Sequence, residues 1–168
     1  LTSADTDNYY ATGFENPDPE VLRLTGTTET PDKNTIAQYI KRTFSDDSRY
    51  DFLIFHGGKL VGEVVLNEID REVKSAHYRI SLFSSQDFSK GYGREATQLL
   101  LEFAFSVLQL NRVELEVFDF NSRAKSMYET VGFVTEGQLR ETVLLDGEYH
   151  DTWVMSILKK EWERGEHS

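Results

Sequence analysis

Two short segments of this chain combine residue types that a group-transfer reaction needs. The first, Ser89-Lys90-Gly91-Tyr92-Gly93-Arg94-Glu95-Ala96, joins a strand-like stretch to a long run with helical periodicity. Gly91 and Gly93 let the backbone bend and approach a ligand with no β-carbon in the way. The start of a helix offers unpaired N–H groups and the positive end of its dipole, which suit a pyrophosphate. Lys90 and Arg94 add positive charge. Two glycines before a helix can also serve the backbone alone. The dinucleotide fingerprint would need a third glycine near Ala96, and the P-loop would need Gly-Lys-Ser/Thr; neither is present. The second segment, Val117 to Phe133, reads as a strand end, a cap and a short helix. On its own terms Asn121 is an N-cap and Tyr128 an aromatic at a helix–sheet interface.

The elements that must position these segments follow from periodicity. Ser3 to about Gly13 reads as a short helix. Glu15–Lys33, with Pro17, Pro19 and Pro31, reads as loop with a little helix at Glu20–Leu24. Asn34–Phe44 reads as helix, with Ile36, Ile40 and Phe44 on one stripe. Tyr50–Phe55, Leu60–Ile69 and Ser75–Phe83 read as three strands in an antiparallel meander, the first turn being His56-Gly57-Gly58-Lys59. Ala96, Leu99, Leu100, Phe103, Ala104, Val107 and Leu108 then predict a helix over about Gly93–Gln109. Arg112–Phe120 alternates and follows a helix that follows a strand, so it should run parallel to Ser75–Phe83. Gly132 should end the next helix as a left-handed cap. Val134–Leu145 and Tyr149–Leu158 read as strands around an Asp146-Gly147 hairpin turn. The fold class is therefore α/β or α+β, one mixed sheet with helices on its faces. Residues 1–168 read as a single domain.

Composition narrows the chemistry. There is no cysteine, which excludes disulfides, a thiolate nucleophile and thiolate metal sites. That absence is compatible with a cytoplasmic protein. The four histidines, at 56, 77, 150 and 167, lack metal-ligand spacing, and there is no Gly-x-Ser-x-Gly elbow. A net charge of −11 repels phosphate backbones, so nucleic acid is a poor partner and a cationic small molecule or basic peptide a natural guest. No apolar run has the length of a membrane span. Leu1-Thr2-Ser3-Ala4-Asp5 resembles a strand–helix junction, so further residues forming a strand are expected before Leu1.

Taken together, the two segments resemble the GNAT superfamily of N-acetyltransferases. The family's cofactor loop, Gln/Arg-x-x-Gly-x-Gly/Ala, is matched by Gly91 and Gly93, and its Asn-x-x-Ala/Ser-x-x-x-Tyr-Glu-x-x-Gly-Phe run by Asn121, Ala124, Tyr128, Glu129, Gly132 and Phe133. The tail, Glu136-Gly137-Gln138-Leu139-Arg140 and Asp146 to Asp151, looks like the RimJ/RimL-like branch, which includes ribosomal-protein and spermidine acetyltransferases. The resemblance covers about Leu60–Lys160 and departs at Phe88, where the family has Gln or Arg.

The resemblance implies a mixed, mostly antiparallel sheet whose parallel pair splays near Leu82 and Val117 to admit acetyl-CoA. It implies cofactor contacts from Leu82, Phe83, Lys90, Gly91, Tyr92, Gly93, Arg94 and Asn121, with backbone amides carrying most of the phosphate grip. Backbone N–H groups near Leu82 and Phe83 would polarise the thioester carbonyl. The amine would attack directly, and Tyr128 would protonate the leaving thiolate. For the proton lost by the amine, Glu63 and Glu116 are the first candidates and His77 the third; each also fits a solvated strand face. No metal is implied, and a homodimer is left open. The alternative is a catalytically silent acyl-CoA-binding or sensor module on the same fold. The acceptor is left open among a protein N-terminus, a polyamine, an aminoglycoside and an amino acid.

Overall fold

The computed structural model describes residues 1–165. A six-stranded sheet has the order β1-β2-β3-β4-β6-β5. Strands β1 (Tyr50–His56), β2 (Lys59–Asp70) and β3 (Ser75–Leu82) form the expected meander. Its first turn holds Gly57 and Gly58 at φ of 56° and 80°, the positive values a two-residue hairpin turn demands. Strand β4 (Arg112–Phe118) lies parallel to β3, and β6 (Glu148–Leu158) pairs antiparallel with both β4 and β5 (Val134–Leu145). Leu1 donates its amino group to the Asp51 carbonyl of β1, an outer strand, at 2.9 Å.

Strand alternation sorts the two sheet faces. Val64, Leu66, Ala76, Tyr78, Val113, Leu115, Val117, Met155 and Ile157 point to one side. There they pack against α4 (Tyr92–Glu102), the turn after it, and α5 (Ser122–Val131). On the other side α1 (Thr6–Gly13) and α3 (Lys33–Phe44) build a smaller core from Tyr9, Ile36, Ile40, Leu60 and Phe83. Helix α2 (Pro19–Thr25) starts at Asp18, which caps Glu20 N–H and also accepts from the Ser85 N–H at 2.7 Å and hydroxyl at 2.6 Å. That side chain ties α2 to the segment leaving β3. A last helix, α6 (Lys159–Gly165), follows β6.

The long helix departs from expectation. After Glu102 it widens into a π turn over Phe103–Val107, marked by Leu108 N–H donating to Phe103 C=O five residues back. The extra residue rotates the apolar stripe: Leu101 and Phe105 are fully buried, while Val107 is 65% exposed. Leu99, 60% exposed, lies at the margin of the stripe beside Phe52 and Phe55.

Candidate active site

The site begins with a gap in the sheet. Pairing between β3 and β4 covers only Ser75–His77 against Arg112–Glu114, although β3 runs on to Leu82 and β4 to Phe118. The next residue, Phe83, donates its N–H to Val61 C=O at 2.9 Å. Residues of an antiparallel pair alternate between facing their partner and facing away. With Phe83 turned to β2, the backbone groups of Ile80 and Leu82 turn to β4, where no strand meets them. The backbone groups of Ile80 and Leu82, both half-buried, thereby face the gap without a strand partner. This corrects the expectation for Phe83, whose N–H is engaged by Val61; the Leu82 N–H faces the gap.

A cavity occupies the gap, lined by Ile80, Ser81 and Leu82 of β3, Gly93 of α4, and Asn121 and Tyr128 at α5. Gly91 is the N-cap of α4 at φ 87°, a conformation that favours glycine, and a β-carbon there would meet nothing within 4 Å. A β-carbon on Gly93 would make only ordinary contacts, 3.6 Å to Met127 and 3.8 Å to Ile80. Crowding within the protein explains neither glycine: Gly91 is favoured by its positive φ, and both leave the start of α4 open to a ligand. Tyr92 stacks on His56, rings 4.5 Å apart. Arg94 is exposed and forms no ion pair among the described residues, while Lys90 lies 3.5 Å from Asp87. Asn121 caps α5, accepting from Ala124 N–H at 3.3 Å, which leaves its NH₂ for the cavity.

Tyr128 is buried, its ring edge-on to Tyr78 and Phe133 at 5.9 and 5.8 Å. Its hydroxyl has no hydrogen-bond partner among the described residues, and the residue lines the cavity. Burial pushes its pKa above the usual tyrosine value, against a smaller opposite pull from Arg123. It therefore holds its proton throughout the neutral range.

The three candidate bases are differently placed. Glu63 is buried on the sheet face under α1 and α3, with both carboxylate oxygens engaged. Oε1 accepts from Arg79 at 3.0 Å and Oε2 from the Tyr9 hydroxyl. Arg79 also donates to the Tyr39 hydroxyl at 2.9 Å. Burial opposes the Arg79 charge, but Glu63, Tyr39 and Tyr9 together outweigh it and raise the guanidinium pKa. Burial, then Glu63, raises the pKa of Tyr9. Glu116 is exposed, on the same face by alternation. His77 lies where β3 and β4 still pair, 2.5 Å from Glu114, away from the gap. A second crevice, containing Glu63, Arg79 and Phe83, shares Val21, Thr25 and Ser81 with the cavity, so the gap is approached from the α2 side as well.

Tyr9, Arg79 and Arg123 escape a reading of motifs, because each acquires its meaning only from a partner distant in sequence. The same holds for His150, 2.8 Å from Asp119. His167 lies outside the described residues. Among the described residues no group of three or more His, Asp or Glu is arranged to hold a metal, and no helix is long and apolar enough to cross a membrane.

A split parallel pair, a glycine-turned helix start at one end and a buried tyrosine beside the cavity would suit an acyltransferase that takes a long, phosphate-bearing thioester. The GNAT acetyltransferase domain family matches residues 1–134, and the chain belongs to that family. It is an acetyl-CoA-dependent N-acetyltransferase. The chain is 30% identical over 132 residues to the putative ribosomal N-acetyltransferase YdaF of Bacillus subtilis, covering 78% of this chain and 71% of that protein. It is 32% identical over 118 residues to a spermidine N(1)-acetyltransferase of Vibrio cholerae, covering 70% and 68%. The crystal structure of a Vibrio cholerae spermidine N-acetyltransferase with CoA and spermine shares the fold, with a TM-score of 0.86 at 24% identity over 97% of this chain and 95% of that one.

Proposed function

We propose that this chain acetylates a primary amine on a cationic acceptor, a polyamine or the basic end of a peptide, within the RimJ/RimL-like branch and in the cytoplasm. The observation that carries the placement of the reaction is the free Leu82 amide opposite the buried Tyr128, across a gap in the sheet. Acetyl-CoA enters with its diphosphate against Gly91, Gly93 and Arg94 and its pantetheine arm beside Ile80 and Leu82. The Leu82 N–H polarises the thioester carbonyl. The amine nitrogen attacks it, the C–N bond forms and the C–S bond breaks. Tyr128 donates its proton to the departing sulfur and recovers one from solvent.

Glu63, with both oxygens occupied, positions Arg79 and Tyr9 instead of taking a proton. Glu116, open to solvent on the same sheet face, is the carboxylate left to accept the amine proton through water. The net charge of −11 favours a cationic guest, as do relatives whose names describe spermidine acetylation.

Thiol release from acetyl-CoA, measured with di- and polyamines, basic and acidic peptides and neutral amines, tests the reading. Release that follows acceptor charge supports it. Tight cofactor binding with no amine-dependent release would favour the silent binding module.

A further inference from the structure

Arg123 lines the cavity and, like the exposed Arg94 at the start of α4, forms no ion pair among the described residues. Arg23, Arg49, Arg79 and Arg112 each meet a carboxylate at 3.0 Å or less. Arg123 meets none among the described residues: Tyr128 and, less strongly, Glu20 attract it, and Glu20 is engaged by Arg23 at 2.7 Å. Instead the Arg123 guanidinium lies 3.8 Å from the centre of the Phe88 ring. Its backbone is in the first turn of α5, two residues after Asn121, and both Arg123 and Phe88 line the cavity with Gly93. Partial burial lowers its pKa below the usual arginine value, against smaller attractions from Tyr128 and Glu20, while the side chain stays open to solvent at the cavity rim.

A guanidinium stacked face-down on an aromatic ring keeps its edge N–H donors in one plane and free, the arrangement that grips a phosphate bidentately. The cradle for such an anion is adjacent, because Gly91 and Gly93 open the start of α4 beside the same cavity. Phe88 therefore does more than displace a polar side chain from the loop; it supplies the platform that aims a cation from α5 at the place the loop serves.

We infer that Arg123, held by Phe88, binds the diphosphate of acetyl-CoA and closes the cradle from the side opposite the glycine loop. The inference rests on the placement of acetyl-CoA proposed above. Phe88 is a positioning residue and Arg123 a binding residue; neither touches the reacting atoms.

The test is calorimetric binding of CoA, 3′-dephospho-CoA and S-acetyl-pantetheine to the full chain and to Arg123→Gln, Arg123→Lys and Phe88→Leu. Arg123→Gln is expected to weaken CoA and 3′-dephospho-CoA equally, by about 10- to 100-fold, as loss of charge-assisted hydrogen bonds gives. S-acetyl-pantetheine, which has no phosphate, should bind as before. Arg123→Lys and Phe88→Leu should fall between, with kcat unchanged and KM for acetyl-CoA raised. Unchanged CoA binding in Arg123→Gln, or a loss confined to CoA that still carries its 3′-phosphate, overturns the inference. Gly91→Val separates the two readings. If it binds CoA like the parent chain, the placement of the cofactor fails. If it loses CoA while Arg123→Gln keeps it, only the role of Arg123 fails.

Discussion

Replacing Gly62 by alanine should damage catalysis without touching any group in the reaction. Gly62 lies in β2 opposite Leu82, the residue whose amide faces the gap. A β-carbon there would sit 2.4 Å from the Ser81 carbonyl oxygen and 3.1 Å from the Leu82 Cα. Both are backbone atoms, so no side chain can swing aside. Restoring ordinary contact requires β3 to move by about 1 Å, since such contacts begin at 3.4 Å. Forcing that shift on a packed sheet costs about 1–3 kcal/mol. At roughly 2–4 °C per kcal/mol for a domain of this size, the melting temperature should fall by about 2–12 °C. The same shift displaces the Leu82 N–H from the thioester carbonyl, and a misplacement of about 1 Å costs on the order of 10²-fold in rate. KM for acetyl-CoA should move far less, because the diphosphate cradle belongs to α4. The assay is thermal unfolding beside chemistry-limited turnover. Gly93→Ala, whose β-carbon meets nothing closer than 3.6 Å, serves as the stability control and should melt near the parent temperature. A Gly62→Ala variant with parental melting and turnover would refute the placement of the reaction at Leu82.

Tyr128→Phe keeps the ring contacts with Tyr78 and Phe133 but deletes the proton donor. Turnover should fall by about 10²-fold or more, with cofactor affinity little changed. Because burial raises the Tyr128 pKa, chemistry-limited kcat of the parent enzyme should show no loss from Tyr128 ionisation between about pH 7 and the ordinary tyrosine pKa of about 10; a fall there that Tyr128→Phe abolishes would contradict the assignment. Asp18 has its pKa lowered by the hydrogen bonds from the Ser85 side chain and backbone. Its stabilisation is therefore present above the ordinary carboxylate pKa and lost as pH falls through the depressed folded-state value. Asp18→Asn should lower the melting temperature at neutral pH, and the gap from the parent should shrink as the solution is acidified; a gap independent of pH would mean that the Asp18 charge is not what ties α2 to Ser85.

The sequence displayed the sheet through its alternation and turns. The strands Tyr50–His56 to Ser75–Leu82, the parallel step to Arg112–Phe118 and the final hairpin all follow from local patterns. The glycine loop, Asn121 and Tyr128 each sit within one short segment, so their positions at the starts of α4 and α5 and beside the cavity could be anticipated; their roles are proposals. The π turn was not legible, since a stripe at spacings of three and four admits both an α-helix and one with an inserted residue. Nor was the state of Glu63. Its neighbours in β2 show a carboxylate mid-strand; only the folded chain brings Tyr9 from α1 and Arg79 from β3 onto its two oxygens. Phe83 was misread for a related reason. Which amide faces a gap depends on hydrogen-bonding phase between strands, and periodicity of side chains carries no record of that phase.

The proposed reaction depends most directly on where the thioester lies. The decisive measurement is a crystal structure of this protein with CoA joined through an acyl carbon to a polyamine. The pantetheine arm is expected in the gap between Ile80–Leu82 and Leu115–Val117, with the carbonyl oxygen within hydrogen-bond reach of the Leu82 N–H and the sulfur beside the Tyr128 hydroxyl. A carbonyl directed away from Leu82, or a sulfur beyond reach of Tyr128, would contradict it.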